Sequence, residues 1–283
     1  MSDKFRWLEA DNGRVKSWVA KQNRLTEKAL RSGKSYQIFK KELETYHRQD
    51  VVFTPTKIGE WYFWSARKAK EDKAVFYRRR GFKGKPKVLI NPNKLKPRGL
   101  ISLESKVISR TGRYLLYGLT AAGTEMETLY ILDLKTNKLV DQPITFCRHA
   151  SVAWRKDESG FFYTRNPKPG TVSKADEHYY AKVYYHQIGN DVSTDKLIFG
   201  EGRHKEDHYS LWLSDDDRYL VIGPSRNWVE NELHLLDIGT GKIHPLITGI
   251  KAQFFVRFAA EHMYVMTDYK ARRWRILRVK TSE

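Results

Sequence analysis

Residues 112–138 read GRYLLYGLTAAGTEMETLYILDLKTNK and contain the pattern that decides the fold. A turn leads into an apolar run that starts at Tyr114, a polar gap follows, and a second apolar run ends at Asp133 before a turn of Lys, Thr and Asn. Short runs rich in aromatic and aliphatic residues, bounded by turn residues, are typical of paired β-strands. The stretch therefore predicts neighbouring strands of one small sheet.

The same pattern occurs five times, and its copies begin at Trp61, Tyr114, Phe161, Tyr219 and Met263, spaced 44 to 58 residues apart. The turn at 133–138 is matched by the turn at 237–242, and each is expected to join the last two strands of its copy. Radial repetition of four-stranded sheets produces a period of about 40 to 50 residues. Residues 51–283 are therefore predicted to form a β-propeller whose fifth copy lacks its outer strand.

Residues 1–50 do not share the repeat and predict two amphipathic α-helices. Residues recur there at helical spacing in two mainly apolar stripes, which are Val15, Trp18, Val19, Gln22 and Leu25 and then Tyr36, Phe39, Leu43 and Tyr46. Residues 11–13 can cap the first helix, and Ser32 and Gly33 separate the two. Each helix is expected to bury its stripe against another surface.

The net charge of +19 is concentrated in one part of the chain, because residues 51–100 contain 14 Lys and Arg against 3 Asp and Glu. Six cations lie close together without an acid: Arg78, Arg79, Arg80, Lys83, Lys85 and Lys87. Such a cluster is a candidate surface for a phosphate-bearing partner. The alternative is a strand edge whose charges keep it soluble and unpaired.

Composition limits the location and the chemistry of the chain. A single cysteine, Cys147, excludes an internal disulfide and favours a reducing compartment, and we expect its side chain to be buried. The sequence contains neither an N-terminal apolar signal nor a run long enough to span a membrane. A cytoplasmic location is therefore predicted.

Other candidate sites are weak. Gly33-Lys34-Ser35 lacks the upstream glycine and the strand of a phosphate loop, so a helix break is the simpler interpretation. His204 and His208 have metal-ligand spacing only if they are helical, and they fall between β-runs. His186 is interpreted as a surface or strand residue. No metal or cofactor is predicted.

An ordered series of segments across nearly the whole chain resembles the prolyl oligopeptidase family of serine peptidases. The series consists of residues 5–9, 15–23, 88–93, 117–123, 153–163, 183–191 and 214–220. The chain departs from the family pattern at Asn91, where Asp is usual, in lacking an Asp-Pro before residues 6–9, and in its basic first copy. The resemblance covers only the N-terminal half of the family.

The resemblance implies a seven-bladed propeller that covers an α/β-hydrolase domain and admits oligopeptides while excluding folded proteins. About five of the seven blades would be present here, preceded by the two helices. Such a hydrolase needs a serine on a Gly-x-Ser-x-Gly turn, and this chain contains no such sequence. We therefore expect no peptidase activity from this polypeptide alone.

Two functions remain open at this stage. In the first, the chain is the gating portion of a prolyl-oligopeptidase-like enzyme, with the hydrolase domain as its partner, supplied downstream or by a separate chain. In the second, the chain is a stand-alone interaction module that binds a protein. Binding of nucleic acid through the basic cluster is a less favoured variant of the second, and no membrane partner is expected.

Overall fold

The computed structural model describes residues 3–97 and 99–281. The chain divides into two compact units, one comprising Met1–Phe53 with Ala66–Asp72 and the other Thr54–Ser65 with Lys73–Glu283. The first contains the helices, and the second contains nearly all of the sheet structure.

The first unit contains the two predicted helices, α1 (Gly13–Arg31) and α2 (Lys34–His47). The side chain of Asn12 caps α1 by accepting a hydrogen bond of 3.1 Å from the amide of Val15. A two-residue strand, β1 (Val51–Val52), pairs with residues 66 and 67.

The expectation that each helix buries its apolar stripe is not met, because neither α1 nor α2 contains a buried residue. Phe39, Leu43 and Tyr46 remain 63%, 66% and 71% exposed. Two helices and a two-residue strand are too few to enclose a core of their own.

The second unit contains five sheets, here called blades one to five, whose strands follow one another in chain order. Blade one consists of β2 (Thr56–Ile58), β3 (Trp61–Arg67), β4 (Val75–Arg80) and β5 (Lys87–Ile90), and β2 pairs with β3. Blade two consists of β6 (Ile101–Ile108), β7 (Tyr114–Ala121), β8 (Met126–Asp133) and β9 (Lys138–Arg148). Blade three consists of β10 (Val152–Trp154), β11 (Gly160–Arg165), β12 (Lys182–Gln187) and β13 (Lys196–Phe199).

Blade four consists of β14 (His208–Leu213), β15 (Tyr219–Ser225), β16 (Leu233–Asp237) and β17 (Ile243–Ile247). Blade five has three strands, β18 (Phe254–Ala259), β19 (His262–Thr267) and β20 (Arg275–Lys280), as the shortened fifth copy predicts. Pairing within blades two to five is antiparallel throughout.

Four apolar clusters hold the blades face to face, one between each consecutive pair. Consecutive residues of one strand therefore belong to different apolar clusters. Leu115 packs toward blade one while Leu116 packs toward blade three, and Phe161 and Phe162 divide in the same way between blades two and four. Because successive side chains of a strand point to opposite faces, a strand buried on both faces is apolar at most of its positions.

The first strands of blades three, four and five, β10, β14 and β18, lie beside one another. Blades that pack face to face with their first strands adjacent form a β-propeller. The predicted class is thus confirmed as a mainly β chain with five propeller blades and two N-terminal helices.

Candidate functional site

The six clustered cations predicted as a partner surface lie at the end of β4, in the following turn and at the start of β5. The six side chains differ in their contacts and therefore in their roles. Arg78 donates a hydrogen bond of 2.8 Å to the carbonyl of Leu134 in the adjoining blade and stacks 4.6 Å over the ring of Trp61. Burial lowers the pKa of Arg78. This side chain therefore ties blade one to blade two.

Arg79 lies among aromatic rings, with its guanidinium carbon 5.0 Å from the ring centre of Phe82 and 5.4 Å from that of Trp64. Arg80 forms an ion pair of 2.6 Å with Glu60. These contacts reduce the positive charge that both arginines can offer to a partner.

Lys83, Lys85 and Lys87 are exposed, and the structure shows no ion pair for them with any described residue. The positive surface available to a partner is therefore smaller than the sequence suggests. Phosphate binding there stays a prediction that now depends chiefly on three lysines.

A buried polar network that the sequence does not reveal lies where blade two meets blade three. His186 on β12 is 0% exposed, and its ring nitrogens face two carboxylates, with Nδ1 2.7 Å from Asp195 and Nε2 3.3 Å from Asp141. The hydroxyl of Tyr163 donates to Asp195 over 2.5 Å, and the amide of Gly189 donates to both oxygens of Asp141 over 2.9 and 3.0 Å. His186 is thus a strand residue, as predicted, but not a surface one.

The pKa values in this network follow from burial and charge. Burial alone would lower the pKa of His186, but the hydrogen bond and charge of Asp195, followed by those of Asp141, raise the pKa above its ordinary value. Burial, opposed by the Arg165 charge and assisted by Asp195, raises the pKa of the Tyr163 hydroxyl. When His186 is protonated, it joins two blades through two ion pairs, and the raised pKa extends this state to higher pH.

The Asp–His pair resembles part of an acyl-transfer triad, but its surroundings do not allow that chemistry. A nucleophile must reach a substrate from beside the imidazole, whereas both His186 nitrogens already contact carboxylates, and the side chains of Asp141 and Asp195 are only 7% and 1% exposed. The network is therefore structural.

The remaining candidates take ordinary places in the fold. Cys147 is 0% exposed, and burial raises the pKa of its thiol, so it is a core residue as expected. His204 lies in the loop before β14, and His208 is the first residue of that strand. Among residues 3–97 and 99–281, no group of three or more His, Cys, Asp or Glu side chains has a geometry that could hold a metal ion. Within those same ranges no helix is long and apolar enough to cross a bilayer.

Comparison with known proteins places the whole chain in one group. A family model described as the prolyl oligopeptidase N-terminal beta-propeller domain matches residues 1–283. A prolyl endopeptidase of Elizabethkingia meningoseptica is 30% identical over 285 residues, covering 98% of this chain and 40% of that protein. Prolyl oligopeptidase A of Galerina marginata is 25% identical over 252 residues, covering 78% of this chain and 34% of its own length.

Solved structures agree with this assignment. One from a study of two prolyl endopeptidases superposes with a TM-score of 0.89 at 25% identity, covering 100% of this chain and 42% of the other. Prolyl oligopeptidase B of Galerina marginata, bound to a 25mer macrocyclization substrate, has the same fold, with a TM-score of 0.86 at 20% identity and 43% of its length covered. The chain thus spans about 40% of the length of the relatives it matches.

Proposed function

Since the chain belongs to the prolyl oligopeptidase family through its N-terminal β-propeller domain, we propose that it selects oligopeptide substrates for an α/β-hydrolase domain that carries out the cleavage. The hydrolase domain would be joined to it downstream or supplied by a separate chain. The observation that carries the proposal is the match of the family model to all 283 residues. The five blades would then be part of the family's larger, seven-bladed arrangement.

The chain's own chemistry is consistent with a role in selection. The sequence contains no Gly-x-Ser-x-Gly turn, and both ring nitrogens of the buried His186 contact carboxylates rather than a serine or cysteine of the described residues. Without a nucleophile, binding surface alone does not lower the barrier to peptide hydrolysis sufficiently. The polypeptide by itself is therefore inactive as a peptidase.

Exposed apolar surface supports association with a further domain. The second helix leaves Phe39, Leu43 and Tyr46 more than 60% exposed, and on β20, the last strand of blade five, Ile276 is 68% exposed. Contiguous apolar residues on a soluble protein mark interaction surfaces. The helical stripe is the one that we assign to the hydrolase domain.

A complementation assay tests the proposal. The chain is mixed with a hydrolase polypeptide from a family member, and cleavage after proline is measured on a short fluorogenic peptide and on a folded protein containing exposed proline. We expect the mixture to cleave the peptide, to spare the folded protein, and to exceed the activity of either part alone.

Two substitutions on α2 sharpen that assay. Phe39→Asp places a charge in the apolar stripe and should abolish the gain, whereas Lys40→Asp, at an exposed polar position of the same helix, should leave most of it. Equal activity with both variants, or no gain with the unmodified chain, counts against the proposal.

The second candidate is a stand-alone interaction module, favoured by β20, the last strand of blade five, in which every residue from Arg275 to Lys280 is exposed. A defined monomer or oligomer with a sharp melting transition would support this module, and aggregation in the absence of a partner would support the gating role. Nucleic-acid binding through Lys83, Lys85 and Lys87 would appear as an affinity that falls steeply with salt.

A cytoplasmic location is part of the proposal as well, since the chain contains one cysteine and no disulfide. Fractionation of cells expressing the tagged full-length protein would test it.

A further inference from the structure

A cavity of about 380 Å³ opens in blade three, where β11 ends and the connection to β12 begins. Three cationic side chains line it, Arg165, Lys168 and Lys182, and no carboxylate is among the described residues of its wall. Tyr180 and Tyr184 supply aromatic surface. Converging charges within largely apolar walls are typical of small-ligand sites.

Arg165 is the most informative of these residues because its side chain is only 15% exposed, yet no described residue accepts a hydrogen bond from its guanidinium. The nearest carboxylate, that of Asp195, lies 4.0 Å away. Asp195 already accepts the Tyr163 hydroxyl and engages His186. None of the Arg165 nitrogens is both sealed from solvent and unpaired, so the free N–H groups of this cavity-lining side chain are accessible, and an acceptor from outside the chain would complete their hydrogen bonding.

Lys182 increases this need for an anion. It stands directly opposite Arg165 in the β11–β12 ladder, and like charges at facing positions are destabilising. Among the described residues its one ion-pair partner is Glu201, 2.5 Å away and 75% exposed, which leaves that pair well screened by solvent. Lys168 adds a third positive charge on the exposed side of the cavity.

The orientation of Arg165 favours a planar acceptor. Its guanidinium carbon lies 4.4 Å from the ring centre of Tyr184. Contact of this kind occupies the face of the guanidinium and leaves its N–H edges available. Two parallel N–H groups match the two oxygens of a carboxylate.

The cavity wall is fixed before any ligand arrives. Asn166 is 4% exposed, and its amide nitrogen donates to the carbonyls of His178 and Tyr179 over 3.1 and 3.3 Å, which pins the chain as it returns to the sheet. The next residue, Tyr180, is held at a φ of 56°, a left-handed conformation that is uncommon for a tyrosine. Strained backbone of this kind clusters at ligand sites.

From these observations we infer that the blade-three cavity binds a small organic carboxylate, with its two oxygens on Arg165 and Lys182 and its aromatic or aliphatic body against Tyr180 and Tyr184. Its volume is many times the roughly 10–15 Å³ that a cavity needs to hold one water molecule, so it suits a group of amino-acid size rather than a lone ion. This site is independent of the substrate-selecting role.

Calorimetric titration of the chain with N-acetyl-phenylalanine tests the assignment, with the uncharged N-acetyl-phenylalaninamide as the matched ligand. A ligand of this size is expected to bind with a Kd of about 1 mM or tighter. The amide should bind at least about tenfold more weakly, because it cannot form charge-assisted hydrogen bonds with the guanidinium.

Variants locate the binding. Arg165→Gln should weaken it about tenfold or more, and Lys182→Gln, at a more exposed position, should weaken it severalfold without perturbing the fold. Lys196→Gln makes the same charge change on β13 outside the cavity and should leave the affinity unaltered.

Three results would overturn the inference. They are equal binding of acid and amide, an affinity unchanged by both Arg165→Gln and Lys182→Gln in proteins whose urea midpoints are close to that of the unmodified chain, and inorganic phosphate binding as tightly as the organic acid. The last result would mean that the aromatic walls contribute nothing and that the cavity is a general anion site.

Discussion

Replacing His186 by glutamine should destabilise the junction of blades two and three and remove a pH dependence of stability. In the unmodified chain, protonated His186 lies between the carboxylates of Asp141 and Asp195, both nearly inaccessible to solvent. Removing one partner of a buried ion pair costs about 3–5 kcal/mol, because the other charge is left uncompensated. Asp141 keeps its two hydrogen bonds from Gly189 and Asp195 keeps that from Tyr163, so the lower end, about 3 kcal/mol, is expected.

The sign of the pH effect follows from the raised pKa of His186. A group whose pKa is higher in the folded state stabilises the fold fully below its unfolded value, about 6.5, and this stabilisation is lost as the pH rises through the folded value. The charged groups that face the imidazole or its partners are Asp141, Asp195, Arg165 and, at longer range, Asp191. The difference in stability between the unmodified chain and His186→Gln should therefore be largest near pH 6 and shrink toward pH 9.

Urea unfolding followed by tryptophan fluorescence at pH 6, 7.5 and 9 measures both effects. Trp154 belongs to the apolar cluster between these two blades and reports on their separation. His244→Gln, at an exposed position of β17, is the matched control and should change the free energy of unfolding by less than about 0.5 kcal/mol. The reasoning is refuted if His186→Gln is as stable as His244→Gln, or if the two variants keep the same pH dependence.

Two further predictions concern blade one and the core. Arg78→Ala should lower the free energy of unfolding by about 1–3 kcal/mol in urea, because it removes the hydrogen bond to the carbonyl of Leu134 and leaves that acceptor unpaired, whereas Lys85→Ala should change it by less than about 0.5 kcal/mol. Equal effects of the two substitutions would show that Arg78 does not join the blades. The thiol of Cys147, buried and with a raised pKa, should not react with a thiol-specific reagent at pH 8 until urea unfolds the chain, and rapid labelling of the native protein would contradict this.

The repeating strands were predictable because buried strands consist of short apolar runs between turn residues, and such runs are visible in the local sequence. The landmarks Tyr114 and Tyr219 are the first residues of β7 and β15, and the matching turns at 133–138 and 237–242 join the last two strands of their blades. The strand before each landmark was harder to locate. β10 has only three residues, too few for a periodic pattern, and β6 is only partly buried along most of its length.

The contacts that give individual side chains their roles were not predictable, since they join residues far apart in the chain. Asp141 and His186 are 45 positions apart, and only the packing of blade two on blade three brings them together. The one local signal is that His186 ends an apolar run, where a polar group needs a buried partner. In the basic cluster, the sequence suggested one continuous positive surface. The structure shows instead that Arg78 hydrogen-bonds to blade two, whereas the lysines are exposed to solvent.

The amino-acid sequence alone determined the class of fold, the number of blades and the two helices, because strand and helix periodicity and turn chemistry are properties of neighbouring residues. Tertiary structure alone decided that His186 is enclosed between two carboxylates, that Arg165 lines a cavity with no acceptor for it among the described residues, and that the helical stripes stay exposed. The pKa of a side chain, its hydrogen-bond partners and its exposure depend on the residues that the fold places around it. These residues are distant in sequence, so a local sequence pattern does not predict them.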